Sequence, residues 1–227
     1  MQPLAVDTHF LTAGDAGSPV EYRPLALRTG RSFEHWRVDA CQGATPVASN
    51  VVVLHLPEHG PEHALREAAT LGVVQRDAAQ QLLVPGADAT ILDGFDVRAV
   101  TSLPADHSPL PRRRMELRTR DELPDHPATW AAVIAWASEL AIAGTPDLRL
   151  RERTTRRIAA SLDHVIQFHV DVDVRDWMPY DMTSTRLAHG RAFAEGGMFV
   201  DGALGASVSQ ELLMRLELDA ATRLDPG

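Results

Sequence analysis

Two stretches of sequence with one layout decide the fold: residues 22–56 read YRPLALRTGRSFEHWRVDACQGATPVASNVVVLHL, and residues 180–216 read YDMTSTRLAHGRAFAEGGMFVDGALGASVSQELLMRL. Each begins with Tyr, carries Gly-Arg-small-Phe at a strand junction, and then has a Gly turn and an Ala-Ser pair. Corresponding residues lie 158 to 160 positions apart. Because an internal repeat is the mark of a chain built from similar units, we interpret the protein as a duplicated fold.

The two units are not equally complete. Unit one covers residues 1–57, a linker predicted to be helical covers 58–94, and unit two covers 95–227. Periodicity predicts strands over 4–11, 20–28, 32–41, 47–56, 95–102, 112–119, 158–170, 177–188, 191–200 and 203–218. A helix is predicted from Pro127, which suits a first helical turn, to just before Gly144. Unit one therefore lacks the first strand and the helix that unit two has.

Composition narrows the class of protein. The 227 residues are enough for one large domain or two small ones. A net charge of -9 argues against nucleic acid or an anionic membrane as a partner. The single cysteine, Cys41, excludes an internal disulfide and is typical of a reducing compartment. The N-terminus has no signal-peptide pattern, and no run of apolar residues is long enough to span a membrane. We expect a cytoplasmic protein.

The last predicted strand contains a polar residue where an apolar one is expected. Gln210 stands in the middle of a face formed by Leu204, Ala206, Val208, Leu212, Met214 and Leu216. A buried amide without partners costs about 1–3 kcal/mol, so its side chain needs hydrogen bonds. A structural bond to the backbone is the commoner explanation. An amide that orients water or a substrate carbonyl is the alternative.

Residues 158–170 are predicted to form one continuous strand. Strict alternation puts Ser161 on one face, with Asp163 and His169, and His164 on the other. The two histidines then point to opposite faces, cannot bind one metal ion together, and are interpreted as structural. A half-solvated strand face accounts for the polar residues without any chemistry.

Three segments resemble motifs of the bacterial acyl-CoA thioesterase II family. They are ASEL at 137–140, AASLDHVIQFH at 159–169 and SQELLMR at 209–215; THFLTAG at 8–14 is similar to that family's FLRPG turn. The resemblance implies an α+β double hot-dog fold, in which two units have antiparallel sheets that wrap around their helices. Here the first unit would lack its first strand and helix.

The same resemblance implies a reaction and a site. The family hydrolyses fatty acyl-CoA to free fatty acid and CoA by direct attack of water, without a cofactor or a metal. Its catalytic trio is an Asp, a Thr or Ser and a Gln, and these positions fall on Glu139, Ser161 and Gln210. Glutamate is one methylene longer than aspartate, and a misplacement near 1 Å can cost about a hundredfold in rate. A catalytically weak or inactive acyl-CoA-binding or interaction protein is therefore the alternative.

Two further expectations concern partners. Arg112, Arg113 and Arg114 are candidate ligands for the phosphates of CoA, because arginine binds phosphate oxygens through two N–H groups. Nearby acidic residues equally favour a solvated charged face. The absent helix would leave an apolar sheet face uncovered. A neighbouring subunit of a homo-oligomer would cover that face; a start upstream of Met1 is the other explanation.

Overall fold

The computed structural model describes residues 1–65, 73–75, 94–101, 110–146, 156–170 and 173–217. Within these ranges the chain forms twelve strands and one helix. In chain order they are β1 (Gln2–Phe10), β2 (Glu21–Thr29), β3 (Phe33–Gln42), β4 (Thr45–His55), β5 (Val73–Gln75), β6 (Phe95–Thr101), β7 (Arg112–Thr119), α1 (Pro127–Ile142), β8 (Arg156–Ser161), β9 (Asp163–Phe168), β10 (Met178–Ala188), β11 (Arg191–Val200) and β12 (Ala203–Glu217).

The strands form one large antiparallel sheet. Its order is β2-β3-β4-β1-β9-β12-β11-β10-β7-β6-β5, and β8 also pairs with β12. The junction between the first four strands and the rest is the pair β1–β9, where Val6 lies opposite Ile166. The helix contacts β1, β9, β11 and β12. The main core therefore lies at the middle of the sheet, under α1.

Helix α1 begins and ends at residues whose chemistry explains the boundaries. The Nδ1 atom of His126 accepts a hydrogen bond from the backbone N–H of Ala128, and Pro127 occupies the first turn. Beyond the last turn, Arg113 donates from Nη2 to the carbonyl oxygen of Gly144 at 3.1 Å. The helix buries Ile134, Ala137 and other residues of one side against the sheet. Among the described residues, no helix is long and apolar enough to cross a membrane.

Most predicted elements match observed ones to within a few residues. The helix is confirmed, and so is the hairpin turn between β11 and β12, where Asp201 and Gly202 have φ values of 49° and 71°. Positive φ at both turn residues gives the backbone twist that a two-residue hairpin requires. The alternation predicted for the last strand is also confirmed, because Val208, Gln210 and Leu212 are all buried on one face.

Two predicted elements differ from the structure. The linker was expected to be helical, but its residues 73–75 form a strand that pairs with β6, and residues 58–65 contain no helix. The remainder of that predicted helix lies outside the described residues. The single strand expected at 158–170 is divided at Leu162 into β8 and β9. The division changes which side chains share a face, as described below.

The first four strands have no helix of their own within residues 1–65. Every residue of β2 is exposed, including Tyr22, which is 67% exposed, Leu25 and Leu27. In contrast, β10 alternates between buried and partly buried residues over its first half. The difference arises because α1 packs on β1, β9, β11 and β12 at the middle of the sheet, whereas β2 lies at the end of the strand order.

A close approach between β10 and β11 generates a prediction. A Cβ atom on Gly196 would lie 2.6 Å from the carbonyl oxygen of Asp181 and 2.7 Å from the ring of Tyr180. Neither group can move without disturbing the sheet, so we expect Gly196→Ala to lower the free energy of unfolding by about 1–3 kcal/mol. Urea denaturation followed by circular dichroism measures this loss.

The neighbouring glycine supplies the matched control. A Cβ atom on Gly197 would meet Cδ1 of Leu204 at 2.7 Å, which is the mobile end of a side chain and can rotate away. Gly197→Ala should therefore destabilise the protein less than Gly196→Ala. An equal loss in the two variants would contradict the close-approach argument.

Candidate active site

The candidate site lies beside a one-residue irregularity in the pairing of β12 with β8 and β9. On β12, Ser209 lies opposite Val165 of β9, whereas Leu212 lies opposite Ser161 of β8. Three steps on β12 thus face four steps on the β8–β9 side, which is the geometry of a β-bulge. The carboxylate of Asp163 accepts a hydrogen bond from the backbone N–H of Glu211 at 2.8 Å, beside the interruption.

The bulge corrects the expectation that Ser161 and His164 point to opposite faces. Because one residue is inserted between them, both side chains lie on the same side of the sheet as Gln210. His164 is buried, and His169 is exposed and bonded to Ser207 at 2.8 Å. The bulge therefore brings Ser161 and His164 together under the end of α1.

Three of the residues predicted from sequence are in mutual contact. Ser161 donates from Oγ to Oε1 of Glu139 at 2.5 Å. Gln210 donates from Nε2 to Oγ of Ser161 at 2.6 Å and to Oε1 of Glu139 at 3.3 Å. The three side chains come from the last turn of α1, the end of β8 and the middle of β12. The other carboxylate oxygen of Glu139, Oε2, has no hydrogen-bond partner among the described residues.

A second group of buried polar side chains supports this trio. Nδ1 of His164 lies 3.2 Å from Oε1 of Gln210, and Nε2 lies 2.9 Å from Oγ of Ser138. The hydroxyl of Tyr180 reaches the backbone carbonyl of Ser138 at 3.4 Å. Ser138 and Gln210 are completely buried. The trio is thus anchored on its inner side by a hydrogen-bonded layer rather than by apolar contacts alone.

The surroundings control which of these groups carries charge. Burial lowers the pKa of His164, against smaller opposing effects of Glu139, the Gln210 hydrogen bond and Asp163. Burial also raises the pKa of Tyr180 well above its usual range, and the nearby Glu139 adds to this shift. Both inner groups, His164 and Tyr180, are therefore neutral at physiological pH.

The three arginines predicted to bind phosphate do not form one cluster open to solvent. Arg113 and Arg114 are buried, with exposures of 6% and 9%. Arg113 bonds the end of α1, and Arg114 forms an ion pair with Asp181 at 3.2 Å. Arg112 is exposed. Burial and internal pairing argue against Arg113 and Arg114 as phosphate ligands, because both would have to leave these contacts.

A cavity of about 310 Å³ lies at the other end of α1. Pro127, Trp130 and Ile134 of the helix line it, together with residues of β1, β9 and the segment after β4. The helix rises about 1.5 Å per residue, so Trp130 and Glu139 are about 13 Å apart along its axis. None of Glu139, Ser161 and Gln210 lines the cavity. The trio therefore lies apart from this cavity.

Sequence analysis missed two members of the site. Ser138 was not considered, although it lies four residues after Ile134 and four before Ile142, on the buried side of the helix. A polar residue at helical spacing between buried apolar residues was the available signal. His164 was interpreted as structural, and no pattern in the sequence reveals that its ring joins Ser138 to Gln210. That contact depends on the bulge.

Comparisons with known proteins agree over most of the chain. The acyl-CoA thioesterase family model matches residues 99–213, and the model of the acyl-CoA thioesterase N-terminal domain matches residues 1–55. Acyl-CoA thioesterase 2 of Haemophilus influenzae is 28% identical over 222 residues, which are 91% of this chain and 77% of that protein.

Solved structures show the same similarity. The acyl-CoA thioesterase II TesB2 of Mycobacterium marinum superposes with a TM-score of 0.80 at 28% identity, covering 95% of this chain and 81% of the other. A hot-dog protein of unknown function from Alicyclobacillus acidocaldarius has a TM-score of 0.65 at 19% identity, covering 96% and 80%. The second likeness concerns the fold alone. The architecture is a hot-dog fold with a large antiparallel sheet and one described helix.

The buried imidazole generates a prediction about pH. The folded-state pKa of His164 lies below the ordinary value of 6.5 that the unfolded chain restores. Between these two values the unfolded state binds more protons than the folded state. The contribution to stability is complete above the unfolded pKa and is lost as the pH falls through the folded pKa. We expect the free energy of unfolding to decrease less between about pH 7.5 and pH 5.5 in His164→Asn than in the wild type.

Urea denaturation at several pH values in this window measures the two slopes. The comparison uses the slope rather than the absolute stability, because the substitution also changes packing. Equal slopes would mean that His164 does not titrate differently in the two states.

Proposed function

The chain belongs to the acyl-CoA thioesterase family, and from this premise we propose that it hydrolyses a fatty acyl-CoA to the free fatty acid and CoA. The observation that carries the proposal is the contact among Glu139, Ser161 and Gln210, which come from one helix and two strands. The last of them follows the first by 71 residues. A carboxylate, a hydroxyl and an amide that meet in this way suit the binding and activation of a water molecule.

In the proposed reaction, Glu139 is the general base. Its Oε1 atom is held by Ser161 and Gln210, so Oε2 is the oxygen that accepts a proton from the attacking water. The water oxygen forms a bond to the thioester carbonyl carbon. As the tetrahedral intermediate collapses, the carbon–sulfur bond breaks and the proton passes to the departing thiolate of CoA. No acyl group is transferred to the protein.

Ser161 and Gln210 have the role of fixing the carboxylate. The Ser161 hydroxyl donates to Glu139 and accepts from Gln210, so its single proton has a defined direction. A carboxylate held by two donors loses little orientational freedom when water binds, which lowers the entropic part of the barrier. This arrangement also offsets the unfavourable placement of an acid at the C-terminal end of a helix.

The glutamate in place of the family's aspartate is compatible with this proposal. The 2.5 Å contact with Ser161 means that the longer side chain already reaches its partner in this chain. A catalytically inactive acyl-CoA-binding protein is the alternative, and it would have no need for a carboxylate aimed at a hydroxyl in a largely buried site. The hydrogen-bonded trio favours hydrolysis.

The remaining parts of the proposal concern assembly and substrate. We treat residues 1–57 and 95–227 as two related hot-dog units, because the sequence repeats; the first unit lacks its first strand and its helix. A homo-oligomer that covers the exposed side chains of β2 is part of the same proposal, as is a cytoplasmic location. Arg112 is the arginine of the three that we retain as a candidate for CoA phosphate.

The first functional prediction concerns Glu139. Glu139→Gln keeps the shape of the side chain but cannot accept the proton, and we expect kcat to fall by about 10²- to 10⁴-fold with KM changed by less than about threefold. Glu139→Asp withdraws the carboxylate from Ser161, and we expect a loss of about 10- to 100-fold. Release of CoA, detected through its free thiol, measures turnover on short, medium and long acyl-CoA substrates.

The control for this series is Glu195→Gln, since Glu195 is an exposed glutamate on β11. It should leave turnover unchanged. Full activity in Glu139→Gln would remove the site assignment. Absence of turnover in the wild type on every chain length, together with retained binding of acyl-CoA, would establish the alternative function instead.

The second prediction distinguishes water from Ser161 as the nucleophile. Ser161→Ala removes a positioning hydroxyl, and we expect kcat to decrease by about 10- to 100-fold without abolishing turnover. Intact-mass spectrometry of the wild type, quenched during turnover, should show no added acyl group. An acyl adduct that is lost in Ser161→Ala would show that Ser161 forms a covalent intermediate.

A further inference from the structure

We propose that His164, held by Ser138, is the positioning residue that sets the orientation of the Gln210 amide in the active site. The amide of Gln210 has one favourable orientation. Its Nε2 atom lies 3.3 Å from the Glu139 carboxylate oxygen and 2.6 Å from Ser161. With the amide reversed, a carbonyl oxygen would face that carboxylate oxygen at the same distance, which is repulsive. The Gln210 carbonyl oxygen must therefore face inward.

The orientation of the amide fixes the proton on the imidazole. Inward of Gln210, its Oε1 atom lies 3.2 Å from Nδ1 of His164. A carbonyl oxygen accepts hydrogen bonds and cannot donate them, so Nδ1 must carry a hydrogen. Since burial lowers the pKa of His164, the ring is neutral and carries one proton. Nε2 is then an acceptor.

The neutral imidazole in turn assigns the role of Ser138. Its Oγ atom lies 2.9 Å from Nε2 of His164 and 3.2 Å from the backbone carbonyl of Ala135. One hydroxyl proton can serve only one of these acceptors. The Nε2 acceptor takes it, because the carbonyl of Ala135 can accept a backbone bond within the helix. Ser138 thereby holds His164 in the tautomer that protonates Nδ1.

Together these bonds form a chain in which every donor points the same way. It runs from Ser138 to His164, from His164 to Gln210, from Gln210 to Ser161 and Glu139, and from Ser161 to Glu139. It ends on the carboxylate that acts as the base. If the His164 tautomer changed, Nδ1 would no longer donate to the Gln210 carbonyl oxygen. The bonds from the Gln210 amide nitrogen to Ser161 and Glu139 would then lose their fixed geometry. This role is distinct from that of the trio, because the described hydrogen bonds of His164 go to Ser138 and Gln210 and not to Glu139.

Substitution of His164 separates positioning from packing. His164→Asn keeps an N–H group near the position of Nδ1, whereas His164→Leu fills the space without any donor. We expect the leucine variant to lose about 10²-fold in kcat with KM changed by less than about threefold. The asparagine variant should stay within about tenfold of the wild type. A buried leucine is better tolerated by a core than a buried amide, so the melting temperature should rank the two variants in the opposite order.

The test is whether kcat and melting temperature rank the leucine and asparagine variants in opposite orders. A residue that merely fills space would make activity follow stability, with leucine better than asparagine in both, and that result would overturn the proposal. His63→Leu and His63→Asn are the controls, because His63 is exposed in the segment after β4. Both should behave like the wild type.

A direct reading of the tautomer covers the case in which the His164 variants fail to fold. Long-range ¹H–¹⁵N correlation spectra of histidine-labelled protein distinguish Nδ1–H from Nε2–H in neutral rings. We expect a neutral ring with Nδ1–H in the wild type, assigned to His164 by its response to Ser138→Ala, which removes the hydrogen bond to Nε2 and should move the resonance of that nitrogen. Absence of an Nδ1–H ring that responds to Ser138→Ala would overturn the proposal.

The kinetic part rests on the proposed hydrolysis, but the tautomer does not. If the wild type releases no CoA from any substrate while its spectrum contains the expected ring, the proposed function fails and the positioning of Gln210 stands. If the wild type is active and the leucine variant keeps full kcat, the positioning role fails and the proposed function stands.

Discussion

The site depends on one extra residue in the strand pairing between β12 and its neighbours β8 and β9. In a regular strand, two residues that are three positions apart, such as Ser161 and His164, would point to opposite faces of the sheet. Because of the bulge, both lie beside Gln210 under the last turn of α1. The carboxylate of Asp163 bonds the backbone N–H of Glu211, a donor that the interrupted ladder would otherwise have left without a carbonyl partner. A bulge beside a functional site is a common device for redirecting a side chain.

The bulge places polar side chains in an apolar layer. Hydrogen bonds among these side chains offset the cost of burying them. Gln210 lies between Val208 and Leu212 and is completely buried. An amide buried without partners costs about 1–3 kcal/mol, but Gln210 bonds His164, Ser161 and Glu139. Because each group in the chain of bonds satisfies the next, the arrangement is stable only as a whole. That requirement makes the orientation of the carboxylate a property of the entire cluster.

Coverage by α1 distinguishes the two halves of the sheet. In the second half, α1 covers the middle strands, and Arg113 and Arg114 are used internally, at the end of α1 and on Asp181. In the first half, β2 exposes Tyr22 and its apolar neighbours. Every member of the hydrogen-bonded cluster accordingly comes from the second half, where a helix and a sheet enclose the space between them.

The sequence by itself predicted the strands, the helix and the buried position of Gln210, because apolar periodicity follows directly from which face of an element is covered. Motif resemblance also indicated Glu139, Ser161 and Gln210 together. It could not reveal their contact, the internal use of Arg113 and Arg114, or the contacts of Ser138 and His164. Strict alternation placed Ser161 and His164 on opposite faces, and periodicity carries no information about an inserted residue. Only the tertiary structure decided these points, since the insertion is defined by the register of β12 against β8 and β9, strands that lie far from it in sequence.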